Sequence, residues 1–249
     1  MRSEEYRSIL SGKHALVTGG ARGIGASIAA ALADHGARVS VVSRSVEDVD
    51  HTYAQADVSD EAAVQKAFET CRKANGPIDI LVNNSGISDS APLTRTSKAL
   101  FDRIVATNLT GTFLCSREAA QDMVIAQWGR ILNVASIAGL YGAPYIAAYC
   151  ASKHGIIGLT RAVAAEYATT GITVNAICPG YTETDMMRQA ISKIVKFTGA
   201  SEATAIKTLA DMNPEGRIAS VEEVAEASLG LICSDKNGVS LIVPGGTEA

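Results

Sequence analysis

Short runs of apolar residues alternate with longer stretches of mixed character along almost the whole chain. "HALVTG" at 14–19 runs into glycines, "ARVSVVSR" at 37–44 follows, and "HTYAQADV" at 51–58 holds a third such run. "IDILVNNSG" (78–86), "GRILNVAS" (129–136), "GITVNAICPG" (171–180) and "SLIVPGG" (240–246) continue the series. Continuous apolar runs of this length read as strands buried on both faces. Between them, 23–36 and 60–76 read as helices closed by Gly36 and Gly76, and longer helices fill 97–127 and 147–169. Strands separated by helices predict an α/β fold, a parallel sheet with helices on both faces in three layers. No linker-like segment or internal repeat divides the chain, so residues 1–249 read as a single domain. Residues 181–213, rich in Met, Thr and Lys, read as an inserted lid.

The composition leaves this picture intact and removes others. Of 249 residues, 47% are apolar and 19% charged, enough to bury a large core. The net charge of −4 and the lack of any Lys/Arg-rich run exclude a basic footprint for nucleic acid. No apolar stretch is long enough to span a membrane, and the polar start "MRSEEYRSILSG" does not read as a secretory signal. Cys71, Cys115, Cys150, Cys178 and Cys233 are scattered and odd in number, which predicts free thiols in a reducing cytoplasm. The four histidines show no metal-ligand spacing, so no zinc is expected.

"VTGGARGIG" stands where the first strand meets the first helix. Gly19, Gly23 and Gly25 allow a tight turn and a close approach of backbone to a pyrophosphate at the positive end of a helix. A plain tight turn would look similar; the strand before and the helix after favour the dinucleotide. The second strand ends in Ser43, Arg44 and Ser45 where NAD enzymes place an acid. With Arg22 in the turn, two guanidiniums and two hydroxyls suit the 2′-phosphate of NADP(H). Asp57 could accept from an adenine amino group or cap the helix that follows.

Further polar residues fall at the carboxyl ends of strands, where open parallel sheets bind ligands: Asn84 in "NNSG" and Ser136 in "NVAS". Asn108 sits inside a predicted helix, where Asn is a poor choice and can interrupt the backbone ladder. Tyr149 and Lys153, four apart, share one helix face. A phenol that titrates near 10 works as an acid or base near neutrality only if positive charge favours its phenolate, and the Lys153 amine is placed to supply it.

Taken together, Thr18 to Gly25 (T-G-x-x-x-G-I-G), Asn83 to Gly86 (N-N-S-G, with Ser85 where Ala is usual), Asn108, Ser136, Tyr149 to Lys153 (Y-x-x-x-K) and Pro179 to Thr184 (P-G-Y-T-E-T) resemble the short-chain dehydrogenase/reductase family over nearly the whole chain. The wording is most similar to 3-oxoacyl-[acyl-carrier-protein] reductases and polyketide ketoreductases. The resemblance implies a Rossmann-like, doubly wound sheet of seven strands and a homotetramer, or a dimer. It implies that Tyr149 exchanges the proton, Ser136 orients the substrate oxygen, Lys153 binds the nicotinamide ribose and lowers the Tyr149 pKa, and Asn108 holds a relay water. Ile24, Val58, Asn84, Gly86, Pro179 and Gly180 would border the cofactor, with Thr182 and Thr184 at the carboxamide. Two departures stand out: the short stretch between Arg44 and Asp57, and the lack of a T-G before the last strand.

Ile137, Leu140, Tyr141, Tyr145, Met186 and Met187 line the segments expected to set specificity. Arg188, Lys193 and Lys196 could meet the phosphates of a CoA or acyl-carrier thioester, or simply form a solvated helix face. The leading expectation is an NADPH-dependent reductase of a 3-oxoacyl thioester or similar ketone. An alcohol, sugar or hydroxysteroid dehydrogenase is the second reading. A non-catalytic cofactor sensor is the third, and the complete set of Asn108, Ser136, Tyr149 and Lys153 argues against it.

Overall fold

The computed structural model describes residues 2–45 and 49–245. Seven parallel strands form one sheet in the order β3-β2-β1-β4-β5-β6-β7. They are β1 (His14–Thr18), β2 (Arg38–Ser43), β3 (Thr52–Gln55), β4 (Ile80–Asn83), β5 (Gly129–Val134), β6 (Ile172–Pro179) and β7 (Ser240–Val243). Every strand expected from the sequence is present. The helices are α1 (Arg2–Leu10), α2 (Gly23–Asp34), α3 (Glu61–Asn75), α4 (Lys98–Val105), α5 (Gly111–Ala126), α6 (Ala147–Glu166), α7 (Asp185–Thr198), α8 (Glu202–Ala210) and α9 (Val221–Ile232).

The alternation of strand side chains builds a core on each face. On β1 and β4, Ala15, Val17, Ile80 and Val82 point one way and pack with Ile28 and Leu32 of α2, Leu229 of α9 and Leu10 of α1. Leu16 and Leu81 point the other way, onto Phe68 of α3, Leu114 and Met123 of α5 and Ala164 of α6. This is the three-layer arrangement, and burial on both faces is why the strands lack polar alternation.

Helix boundaries follow local chemistry. Asp60 caps α3 by accepting from the Ala63 amide, and Gly76 closes it at φ 82°. Ser220 and Glu223 form a reciprocal capping box at α9. The expected helix over 97–127 is instead two helices, α4 and α5, joined by one π-helical turn at Ala106–Thr110 that contains Asn108. The region read as an irregular lid is a helical pair. Thr184 caps α7 and Ser201 caps α8, and Ile191, Ala205 and Leu209 give the pair a small core of its own. Of the shortened stretch after Arg44, residues 46–48 lie outside the described residues.

Candidate active site

The chain leaves β1 toward β2 on one side and returns to β4 on the other. A crevice therefore opens at the carboxyl ends of β1 and β4, where the strand order reverses. The Thr18 hydroxyl accepts from the amides of Asn84 and Ser85, each at 3.0 Å. The Asn84 side chain donates to the carbonyls of Thr18 (3.1 Å) and Gly19 (3.0 Å). These bonds clamp the glycine turn to the end of β4. They also explain Gly25: a Cβ there would lie 2.3 Å from the Gly19 carbonyl oxygen and 2.4 Å from Asn84 Nδ2. Gly19 and Gly23 sit at φ 63° and 55°, in the left-handed region. Asn84 thus acts on the turn itself.

Arg22 stands at the cap position of α2, and no side chain caps that helix. Asp60, Thr184, Ser201 and Ser220 do cap α3, α7, α8 and α9. The first-turn amides of α2 thus meet no capping side chain, as an anion-binding turn requires. A recess of about 570 Å³ lies between this turn and α7, lined by Arg22, Asp185, Arg188, Gln189, Ser192 and Lys193. Thr184 closes its inner end, with its Cγ2 3.5 Å from where a Cβ of Gly23 would be. Thr184 Oγ1 donates to the Thr182 carbonyl at 3.2 Å, and Thr182 is buried.

The sequence pairs Arg22 with Arg44, whereas the structure places Arg22 on the recess with α7 and Arg44 beside Asp57. Asp57 does not cap α3, a task that falls to Asp60. It accepts instead from the Ser59 amide (2.9 Å) and hydroxyl (2.7 Å). Those bonds and the Arg44 charge outweigh burial and hold its carboxyl below the usual range. The Ser43 hydroxyl and Tyr53 both donate to the Ser45 carbonyl, fixing the turn after β2. Val58 is buried under α5, where a Cβ on Gly111 would sit 2.7 Å from it. Ile24 packs into the core.

Four of the expected residues converge beyond the ends of β4 and β5. Asn108 is fully buried in its π turn. Its Oδ1 accepts from the Ile87 amide (2.8 Å), and its Nδ2 donates to the Ile87 carbonyl and to Ser152 Oγ, both at 3.0 Å. The backbone at Gly86 passes between Asn108 and Lys153: a Cβ there would lie 3.4 Å from Asn108 Oδ1 and 3.7 Å from Lys153 Nζ. Lys153 is buried and donates to the Val134 carbonyl at 2.7 Å. Its Nζ lies 5.6 Å from the centroid of the Tyr149 ring. Burial lowers the Lys153 pKa to about 8.

Tyr149 departs from expectation. Burial raises its phenol to about 12; Ser136 opposes this by hydrogen bonding to it, while Tyr181 and Cys150 add to it. Among the protein's own groups desolvation therefore wins over the neighbouring amine, whose proton is engaged by Val134.

The profile of the short chain dehydrogenase family matches residues 13–195. The chain belongs to the short-chain dehydrogenase family of oxidoreductases. It is 36% identical over 242 residues to the granaticin polyketide synthase putative ketoacyl reductase 1 of Streptomyces violaceoruber, covering 91% of this chain and 88% of that protein. It is 37% identical over 260 residues to the D-threitol dehydrogenase of Mycolicibacterium smegmatis, covering 98% and 96%. A crystal structure of an actinorhodin polyketide ketoreductase variant with NADPH superimposes with a TM-score of 0.89 at 34% identity, over 94% of this chain and 96% of that one.

The residues around this short-chain dehydrogenase site divide by environment. Tyr141 and Tyr145 are exposed at its mouth, Tyr145 at φ 68° with its carbonyl accepting from the Ala91 amide. Ile137 and Leu140 are half-buried against the core beside α6. Met186 is exposed, and Met187 packs against the small core between α7 and α8. Gly180 follows Pro179, the last residue of β6, and a Cβ on it would meet Asn213 Oδ1 at 2.2 Å.

Asn213 escaped the sequence reading because Asn before Pro214 reads as a turn former. Buried, it accepts from the Tyr181 amide (2.7 Å) and donates to the carbonyls of Tyr181 (2.9 Å) and Arg217 (2.6 Å), so it ties together both stems of the α7–α8 pair. The cations of α7 are partly engaged: Arg188 pairs with Asp185 and Lys193 with Asp89. Among the described residues no group of three or more His, Cys, Asp or Glu side chains could hold a metal ion, and no helix is long and apolar enough to cross a membrane.

Proposed function

We propose that this chain is an NADP(H)-dependent carbonyl reductase, interconverting a ketone and a secondary alcohol. The convergence of Ser136, Tyr149 and Lys153 at one end of a glycine-lined crevice carries the reading. The uncapped start of α2 and the close-packed Gly25 fit a dinucleotide, and Arg44 with Ser43 and Ser45 suits a 2′-phosphate. That cofactor supplies the hydride when bound. Tyr149, protonated at neutral pH, donates its proton to the carbonyl oxygen that Ser136 orients. Lys153 keeps its ammonium beside the phenol and would hold the nicotinamide ribose, and Asn108 keeps the Gly86–Ile87 backbone against Lys153. Thr182 and Thr184 border the carboxamide. At neutral pH the raised phenol carries its proton, the form that reduction of a carbonyl requires.

The substrate we favour has the 3-oxoacyl type of carbonyl, in keeping with the ketoreductase relatives. Arg188 and Lys193 are each engaged by an exposed ion pair within the chain, so nothing reserves them for a phosphate-bearing handle. The D-threitol dehydrogenase relative supports a second reading, oxidation of a polyol. We also propose residues 1–249 as one domain with 181–213 as its lid, a cytoplasmic homotetramer or dimer, and the exposed Phe101 and Phe113 of α4 and α5 as part of its contact surface.

Replacing Tyr149 with Phe tests the reading. Turnover of a ketone panel falls by about a hundredfold or more, while NADPH binding, read by nicotinamide fluorescence, is retained. Turnover that survives the change overturns the reading.

A further inference from the structure

The span from Ile87 to Ala91 leaves β4 and is stitched to four parts of the protein. Ile87 is held by the Asn108 side chain through its amide and carbonyl. The Ala91 amide donates to the carbonyl of Tyr145 at 2.8 Å, joining the span to the segment before Tyr149. Between them, Asp89 takes two cations: Lys193 of α7 on Oδ1 at 2.5 Å, and Arg103 of α4 on Oδ2 at 3.6 Å. The Ser90 amide also donates to Asp89 Oδ1. Asp89 and Lys193 are 104 residues apart in sequence. Their bond links the wall that Asn108 and Tyr145 anchor to the helix that lines the recess above the glycine turn.

We propose that the Asp89–Lys193 pair is a specificity-determining latch across the substrate mouth, one that favours compact carbonyl substrates over those carried on a long anionic handle. The inference rests on the carbonyl-reductase reading. On this proposal an extended substrate enters between the Ile87–Ala91 span and α7, and so parts the pair. A compact ketone reaches Tyr149 with the pair closed. The side chains are 34% and 42% exposed, so the pair is a weak one and is screened by salt. Arg103 keeps Asp89 in place when Lys193 swings away, so the moving part is α7 and the span stays fixed.

The test compares Asp89→Asn and Lys193→Gln with wild type on acetoacetyl-CoA and ethyl acetoacetate. A latch predicts that the ratio of kcat/KM for the thioester to that for the ester rises about two- to fivefold in both variants, the range expected for a half-exposed ion pair. Simple attraction of the anionic thioester predicts opposite shifts, because one variant removes a negative charge and the other a positive one. Opposite shifts, or no shift, overturn the proposal. The double variant Asp89→Asn with Lys193→Gln gives no more than either single variant, because both remove the same bond.

A second readout does not depend on turnover. Amide hydrogen exchange over Asp185–Thr198 quickens by the same about two- to fivefold factor in both single variants. Should neither ketone react, the carbonyl-reductase reading fails and exchange still judges the latch. Unchanged exchange in α7 overturns it.

Discussion

Lys153 donates to the carbonyl oxygen of Val134 at 2.7 Å while its Nζ stands 5.6 Å from the centre of the Tyr149 ring. One ammonium thus ties the carboxyl end of β5 to the phenol proposed to exchange the proton. Its own burial brings its pKa down to about 8, so its charge is lost within an ordinary assay range. The ammonium is present below that value and neutral amine prevails above it. Under the proposed function, carbonyl reduction at saturating NADPH should therefore be level in mildly acidic and neutral buffer and decline as pH rises through about 8. A steady-state pH profile that stays flat well beyond that value would sink this assignment.

Arg44, not Arg22, stands where the second strand ends, beside Asp57. Its guanidinium is exposed and free to meet a 2′-phosphate. Arg44→Asp should lower the preference for NADPH over NADH by about tenfold or more, in line with the loss of a charge-assisted hydrogen bond. Arg22→Ala, at the recess, should weaken both cofactors more evenly. Competitive measurement of kcat/KM for the two cofactors checks both expectations, and an unchanged preference in Arg44→Asp refutes the first.

What the sequence made legible follows from range. Strands buried on both faces appear as unbroken apolar runs, and Gly76 shows a helix end directly. The Tyr149 and Lys153 pair is legible because helix geometry places i and i+4 together. The break in the long helix showed only as an Asn in an unlikely place, since Asn108 finds its partners at Ile87 and Ser152, far off in the chain. α1 carries no cap or apolar stripe to mark it, whereas α9 is marked by the Ser220–Glu223 capping box, a signal the strand pattern overshadows. α7 and α8 looked irregular because their apolar residues pack mainly on each other, leaving polar faces outward. Lys193 is legible only as a cation on a helix face, and its partner Asp89, 104 residues away, cannot be read from it. Charge at i+4 can be read from spacing, whereas the desolvation that raises the Tyr149 phenol shows only in the finished fold.

Gly180 and Asn213 constrain one another. The Asn213 amide occupies the space a side chain at 180 would need, with Oδ1 2.2 Å from the would-be Cβ. Gly180→Ala is expected to cost about 1–3 kcal/mol by overpacking. Asn213→Ala is expected to cost a similar amount, about 1–3 kcal/mol, by removing the buried amide that bonds the Tyr181 N–H and the Arg217 carbonyl. The double variant should cost less than the sum, because removing the amide also removes the clash. Urea denaturation of the four proteins measures the coupling. Strict additivity would show that the two positions do not share this contact.

His14 begins β1 with its ring wholly buried. Nδ1 lies 2.7 Å from the Gly76 carbonyl, which can only accept, so Nδ1 carries the proton and Nε2 accepts from Ser40 Oγ at 2.8 Å. Burial lowers its pKa below the ordinary 6.5, against the smaller pull of the Gly76 and Pro77 backbone; Arg38 lowers it further and Asp79 opposes. The folded state therefore binds this proton less readily than the unfolded chain. The contribution to stability is complete above about 6.5 and is lost as pH falls through the lower folded value, at up to about 1.4 kcal/mol per pH unit. His14→Gln cannot take up that proton. Its unfolding free energy, measured by urea titration between neutral and mildly acidic buffer, should fall less steeply than that of the native chain. Equal slopes would show that His14 is not the group responsible.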